Sequence, residues 1–191
     1  MRLRLLITAT LLSSVLLAQN PESNIYIKEG FIFGTAIGGS YVSLKTTDLA
    51  NHEEMSLSLP NFKIGYMLNP SLALSLYLPG SLYQFTDSGR ERDRGFEGIT
   101  VAAQYWISDR WWVLGGGGMC LDAPAFYDIK DSTERNFYFG PAIVLGTGYE
   151  LWKKGKFSLD LQNRVQYGYT NVPSGVKKGF AYSILIGFNW Y

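Results

Sequence analysis

The sequence is poor in the features that mark most functional classes. Of 191 residues only one is cysteine (Cys120) and one is histidine (His52). A single thiol excludes a disulfide-stapled scaffold and any cysteine-rich zinc site. Charged residues make up 17%, against roughly 25% in an ordinary soluble domain, and this excludes a charged disordered chain. The formal net charge is +1, which gives no electrostatic basis for a nucleic-acid partner. After residue 18 no apolar run is long enough to cross a bilayer as a helix. What is plentiful is glycine (21), tyrosine (13) and phenylalanine (11), a composition that favours strands over helices.

The first segment reads as an export signal. Arg2 and Arg4 form a basic start, and Leu5 to Leu17 is an apolar run of 13 residues. That is too short to span a membrane and suits the core of a signal peptide. The expected division is a signal peptide over 1–18 and one domain over 19–191. Without Arg2 and Arg4 the formal charge becomes −1.

The remainder alternates with period two, so that successive side chains point to opposite faces of a sheet. In the last segment Phe180, Tyr182, Ile184, Ile186, Phe188 and Trp190 share one face, with Ala181, Ser183, Leu185, Gly187 and Asn189 on the other. The segment before it repeats the pattern from Phe157 to Tyr169, with Asn163 breaking the apolar face once. Six further strands are predicted over 31–44, 56–68, 72–84, 96–107, 111–121 and 137–151. The phase slips near Pro60, predicting a bulge. Pro79 and Pro141 each remove a ladder donor and belong at bulges or strand ends.

The connections alternate in length. Those around 69–71, 108–110 and 152–156 have the composition of tight turns. Those at 45–55, 85–95, 122–136 and 170–178 are longer and polar. All short turns therefore fall at one end of an up-and-down sheet and all long loops at the other, the pattern of an outer-membrane barrel with short periplasmic turns. The bulky apolar face belongs outside, against lipid, and the face of Gly, Ala, Ser, Thr and Gln belongs inside. The predicted fold is all-β: an eight-stranded, antiparallel, up-and-down transmembrane β-barrel. Trp106, Trp111, Trp112, Trp152 and Trp190 all lie beside a short turn or the last residues, which predicts an aromatic girdle at the periplasmic interface.

The export signal, the eight alternating strands, the unequal connections and the aromatic-rich end Gly187-Phe188-Asn189-Trp190-Tyr191 resemble the small outer-membrane barrels of the OmpA, OmpX and OmpW type. The resemblance is architectural and covers the chain after the signal. It implies an outer-membrane location, assembly by the barrel-assembly machinery, and lipid and lipopolysaccharide as surroundings, with the chain a monomer and no cofactor. The last residue, Tyr191, departs from the family's outward register, which Trp190 holds instead.

Eight strands leave an interior that side chains can fill. The predicted inward polar residues are Lys63, Ser75, Tyr77, Thr100, Gln104, Glu150, Asp160, Gln162, Arg164 and Gln166. Buried charges need partners, and Lys63 and Arg164 are expected to pair with Asp160 or Glu150 in a network that plugs the lumen. Arg90, Arg92 and Arg94 are candidates for lipopolysaccharide phosphate, since arginine pairs bidentately with phosphate. Asp122, Asp128, Asp131 and Glu134 read as surface acidity, and Cys120 as a packing residue.

The function expected is non-enzymatic, structural or surface-interactive through the extracellular loops. One alternative is a narrow channel for ions or small solutes. The other is a lipid A-modifying acyltransferase. His52 in the first long loop and Asp87-Ser88 in the second resemble the histidine and Asp-Ser pair of lipid A palmitoyltransferase barrels, which implies a base at His52 and a nucleophile at Ser88. Residues 19–30 lack the amphipathic helix of those enzymes.

Overall fold

A computed structural model describes residues 27–46, 51–87, 90–129, 135–173 and 175–191. The predicted signal peptide, Ser88, Asp131 and Glu134 lie outside these residues. The chain forms one antiparallel sheet of nine segments: β1 (Gly30–Thr46), β2 (His52–Asn69), β3 (Leu72–Leu78), β4 (Gly80–Asp87), β5 (Arg90–Trp106), β6 (Trp111–Pro124), β7 (Tyr138–Lys154), β8 (Phe157–Val172) and β9 (Gly175–Trp190). Consecutive strands pair except β3 with β4, and β1 pairs with both β2 and β9. The ring therefore closes, with β2 and β4 sharing only the Ser58↔Ser81 step and bridged further out by side chains, Ser56 Oγ donating to the Leu82 carbonyl and Gln84 N to Glu54 Oε2 at 2.8 Å. β3 and β4 are two halves of one stave, interrupted at Pro79, so the ring has eight staves.

The proline positions behave as their chemistry requires. Pro79 has no N–H to donate, and the ladder steps across it through its carbonyl, which accepts from Gly98 N at 2.7 Å. Between β1 and β2 the register jumps from Ala36↔Asn61 to Gly38↔Ser58, which places a bulge at Leu59-Pro60. Pro141 sits near the start of β7, opposite Met119. The turns are equally local in origin. Asn69 Oδ1 accepts from Ser71 N at 2.9 Å, a side chain closing its own turn. Gly155, with φ +56°, takes the left-handed position between β7 and β8.

One end of the barrel carries the connections at 70–71, 107–110 and 155–156, the other those at 47–51, 88–89, 125–137 and 173–174. The expected long loops at 85–95 and 170–178 are corrected here. They are strand almost throughout, with Asp87 paired to Arg90 and Val172 to Gly175. Above the bilayer both faces of a sheet meet water, so the apolar alternation stops while backbone pairing continues. By the general rule for such barrels, the end with the turns faces the periplasm.

The two faces sort as predicted, bulky outside and small or polar inside. Ile184 is 51% exposed and its neighbour Ser183 is fully buried. Phe31, Ile64, Val101, Leu145 and Ile186 are likewise exposed around the wall. A surface with this much contiguous apolar area is not stable in water. It is matched to hydrocarbon, in which backbone groups must be paired by closing the ring.

Candidate functional site

The interior is built of polar layers with buried apolar side chains between them. Lys63, Glu150, Asp160 and Arg164 are all buried in it, as are the other six residues assigned inward from the sequence. Their pairing differs from expectation: neither Lys63 nor Arg164 forms an ion pair with Asp160 or Glu150. Each charge instead has its own set of partners.

Nearest the turns, Glu150 Oε1 gathers three donors. Trp106 Nε1 and the Tyr191 hydroxyl each donate at 2.9 Å, and Lys28 Nζ lies at 3.2 Å. Lys28 also donates to the Asp109 carbonyl at 3.2 Å and lies over the Trp106 ring, 4.5 Å from its centre. Burial pulls the Lys28 ammonium down to about 8, and Glu150 opposes that shift. In the next layer Asp160 accepts from Gln162 at 2.7 Å, Asn189 at 2.9 Å and Trp112 Nε1 at 3.0 Å. Lys63 Nζ donates to Gln104 Oε1 at 2.8 Å and faces the Trp112 ring.

Arg164 spans the middle and bonds only neutral acceptors. It donates to Asn61 Oδ1, to Ser183 Oγ at 2.7 Å, and to Ser81 Oγ and the Gly80 carbonyl at 3.2 Å. The Gly80 carbonyl is available because Pro79 interrupts the stave there. Ser40 ties Ser183 and Ser81 together at 2.7 and 2.9 Å. The gap left beside Arg164, lined by Asn61, Lys63, Tyr77, Trp112 and Gln162, has a volume of about 10 Å³, room for roughly one water.

The outer end is closed by Asp122. It accepts from Lys177 at 2.6 Å, from Arg94 Nε at 2.7 Å and from the Tyr83 hydroxyl at 2.8 Å. Two predictions are overturned here. Asp122 is buried in the lumen rather than on the surface, because the inward register of β6 continues through Cys120 to it. Arg94 is buried against it and also donates to the Asn136 carbonyl at 2.9 Å, so it is turned away from lipopolysaccharide. The two-residue period puts Arg90 and Arg92 on the same face of β5 as Arg94, with Arg90 paired to Asp128. Cys120 is buried, its side chain against Gly168.

Above this closure lies an open pocket of about 340 Å³, lined by His52, Tyr83, Gln84, Phe85, Glu91 and Lys177 among others. His52 Nε2 is 3.1 Å from Glu54 Oε2, and its ring is 6.0 Å from that of Tyr83. The Asp87 side chain and Ser88 lie outside the described positions, and no group of three or more metal-ligating side chains occurs among the described residues.

The five tryptophans divide. Trp111 and Trp152 are about half exposed on the outer wall, and Trp190 is half-buried. Trp106 and Trp112 are corrected: they sit at the expected end but inside the lumen, where Glu150 and Asp160 accept from their indole N–H groups. Lys28, Asn61 and Asp122 were missed by sequence reasoning. For Asp122 the signal was present, since it continues the even-numbered face from Trp112 through Leu114 to Cys120.

A closed ring of strands, apolar outside and polar within, defines a transmembrane β-barrel of the outer-membrane type. Its fold is that of Ail, the attachment invasion locus protein of Yersinia pestis, with a TM-score of 0.56 at 16% identity, covering 85% of this chain and 100% of that one. It is also that of Neisserial surface protein A, with a TM-score of 0.55 at 17% identity over 84% of this chain and 96% of that one. No known protein family and no curated protein sequence matches the chain.

Proposed function

We propose that the protein is a closed, non-catalytic barrel whose rigid body holds an interaction surface at the outer face of the membrane. One observation carries this reading: from Lys28 to Lys177 the lumen is filled by hydrogen-bonded polar groups with apolar side chains such as Val42, Phe96, Val144 and Ala181 packed between them, and its mid-section leaves a gap of about 10 Å³. A solute path would require several layers to part, each with buried charges whose partners would then be lost. Because β1 pairs with β9, the barrel is complete as a single chain, which supports a monomer. Assembly by the barrel-assembly machinery belongs to the same reading.

What supports a surface role is the mouth pocket, where the aromatic faces of Tyr83 and Phe85 meet the Lys177 ammonium. The test is electrical. Refolded protein in planar bilayers is expected to give no discrete conductance steps at neutral pH. Stable unitary steps from the unaltered protein would replace this reading with the narrow-channel one.

A further inference from the structure

On the outer wall, two lysines stand directly opposite each other. Lys45 on β1 and Lys178 on β9 are register partners, both exposed and both on the lipid-side face. Like charges in this position are unfavourable. Neither lysine has a carboxylate at ion-pair distance among the described residues. Glu53 on β2 stands beside Ser43, one row further down the wall.

The rows beneath fix the depth. Below the lysines, β8, β9 and β1 present Tyr167, Phe180 and Ser43, then Val165, Tyr182 and Tyr41. Such an aromatic band marks the boundary between hydrocarbon and headgroups. The lysine row therefore lies at headgroup level, at the end away from the tight turns. Its third member is Tyr169, the register partner of Lys178 on β8.

We propose that Lys45 and Lys178, with Tyr169 beside them, form a clamp for the phosphate of a lipid headgroup in the outer leaflet. A phosphate between the two ammonium groups removes their mutual repulsion and supplies a counter-charge that no carboxylate among the described residues provides. Charge complementarity selects this occupant over a neutral glycolipid. The clamp lies outside the barrel, so it goes beyond the plug reading and does not depend on conductance.

The experiment uses the refolded chain in neutral lipid nanodiscs doped with bisphosphorylated lipid A, dephosphorylated lipid A or phosphatidylglycerol, with bound lipid counted by native mass spectrometry. Lys45→Gln, Lys178→Gln and the double variant are compared with Lys154→Gln at the opposite end. Each clamp lysine removed is expected to weaken retention of the phosphorylated lipid about five-fold, with dephosphorylated lipid A and Lys154→Gln showing no such change. Loss confined to lipid A assigns the phosphate to lipopolysaccharide, and an equal loss on phosphatidylglycerol assigns it to any lipid phosphate. Retention unchanged in the double variant, or equal for lipid A with and without phosphate, overturns the clamp.

Discussion

Asn163 interrupts the apolar face of β8 between Phe157 and Tyr169, and the structure accounts for it. Its Oδ1 accepts from the Tyr182 hydroxyl on β9 at 2.7 Å, so a polar pair on the lipid side is satisfied within the wall. Lys28 is the opposite case, a charge that no periodicity could reveal because it precedes the first strand. Its ammonium, lowered by burial to about 8, lies below the ordinary lysine value, so the folded chain releases this proton before the unfolded chain does. Between pH 8 and about 10.5 the unfolded state therefore binds more protons, and this site makes stability rise with pH. The gain is fully present above the unfolded value and is lost as pH falls through the folded one. The expected outcome is a higher urea midpoint at pH 10.5 than at pH 8 for the unaltered protein relative to Lys28→Met. Nuclear magnetic resonance of the Lys28 amine should titrate near 8, and Glu150→Gln should move that midpoint lower, since Glu150 holds it up. A midpoint at the ordinary lysine value would refute the burial of the ammonium.

At the scale of the element, the strand faces were legible because the bilayer imposes one rule on every stave: large apolar residues at alternate positions outside. The proline breaks were legible for an equally local reason, the missing donor. The upper ends of β4, β5, β8 and β9 were not, since water on both faces removes the pattern while the ladder persists. The glycine run of β6, which blurs its alternation, is strand too. Glycine has a further use on the inward faces, where it makes room for the plug. A Cβ on Gly148 of β7 would lie 2.3 Å from Cζ2 of Trp112 on β6. Trp112 is held by Asp160 of β8, on the other side of β7, so it cannot retreat without giving up that bond. Gly148→Ala is expected to cost about 2 kcal/mol by urea unfolding in vesicles, with the Trp112 indole N–H resonance shifted. An equally stable Gly148→Ala protein with that resonance unmoved would mean the notch is not needed.

For the whole molecule, the decisive property is which side of the sheet each tryptophan occupies. Sequence position placed all five at one end, and position along a strand gave no more than that, because a residue beside a turn can point to either face. The structure separates them by register. Trp106 and Trp112 share the inward face of their strands with Gln104 and Leu114, while Trp111 and Trp152 stand outside with Val113 and Leu159 nearby. The inner pair is not an interfacial anchor. It gives each of two buried carboxylates one of its hydrogen-bond donors, and this ties the closure of the lumen to the end of the barrel where the girdle was expected. Variants that keep one tryptophan at a time, reconstituted in vesicles of bromine-labelled lipid, should report this division directly. Fluorescence from Trp111 and Trp152 is expected to be quenched by the lipid, and that from Trp106 and Trp112 to resist both the lipid bromines and aqueous acrylamide. Lipid quenching of Trp106 and Trp112 equal to that of Trp111 would place the inner pair on the wall. Glu150 and Asp160 would then each lose one donor, and two of the largest side chains filling the turn end of the lumen would be gone from it.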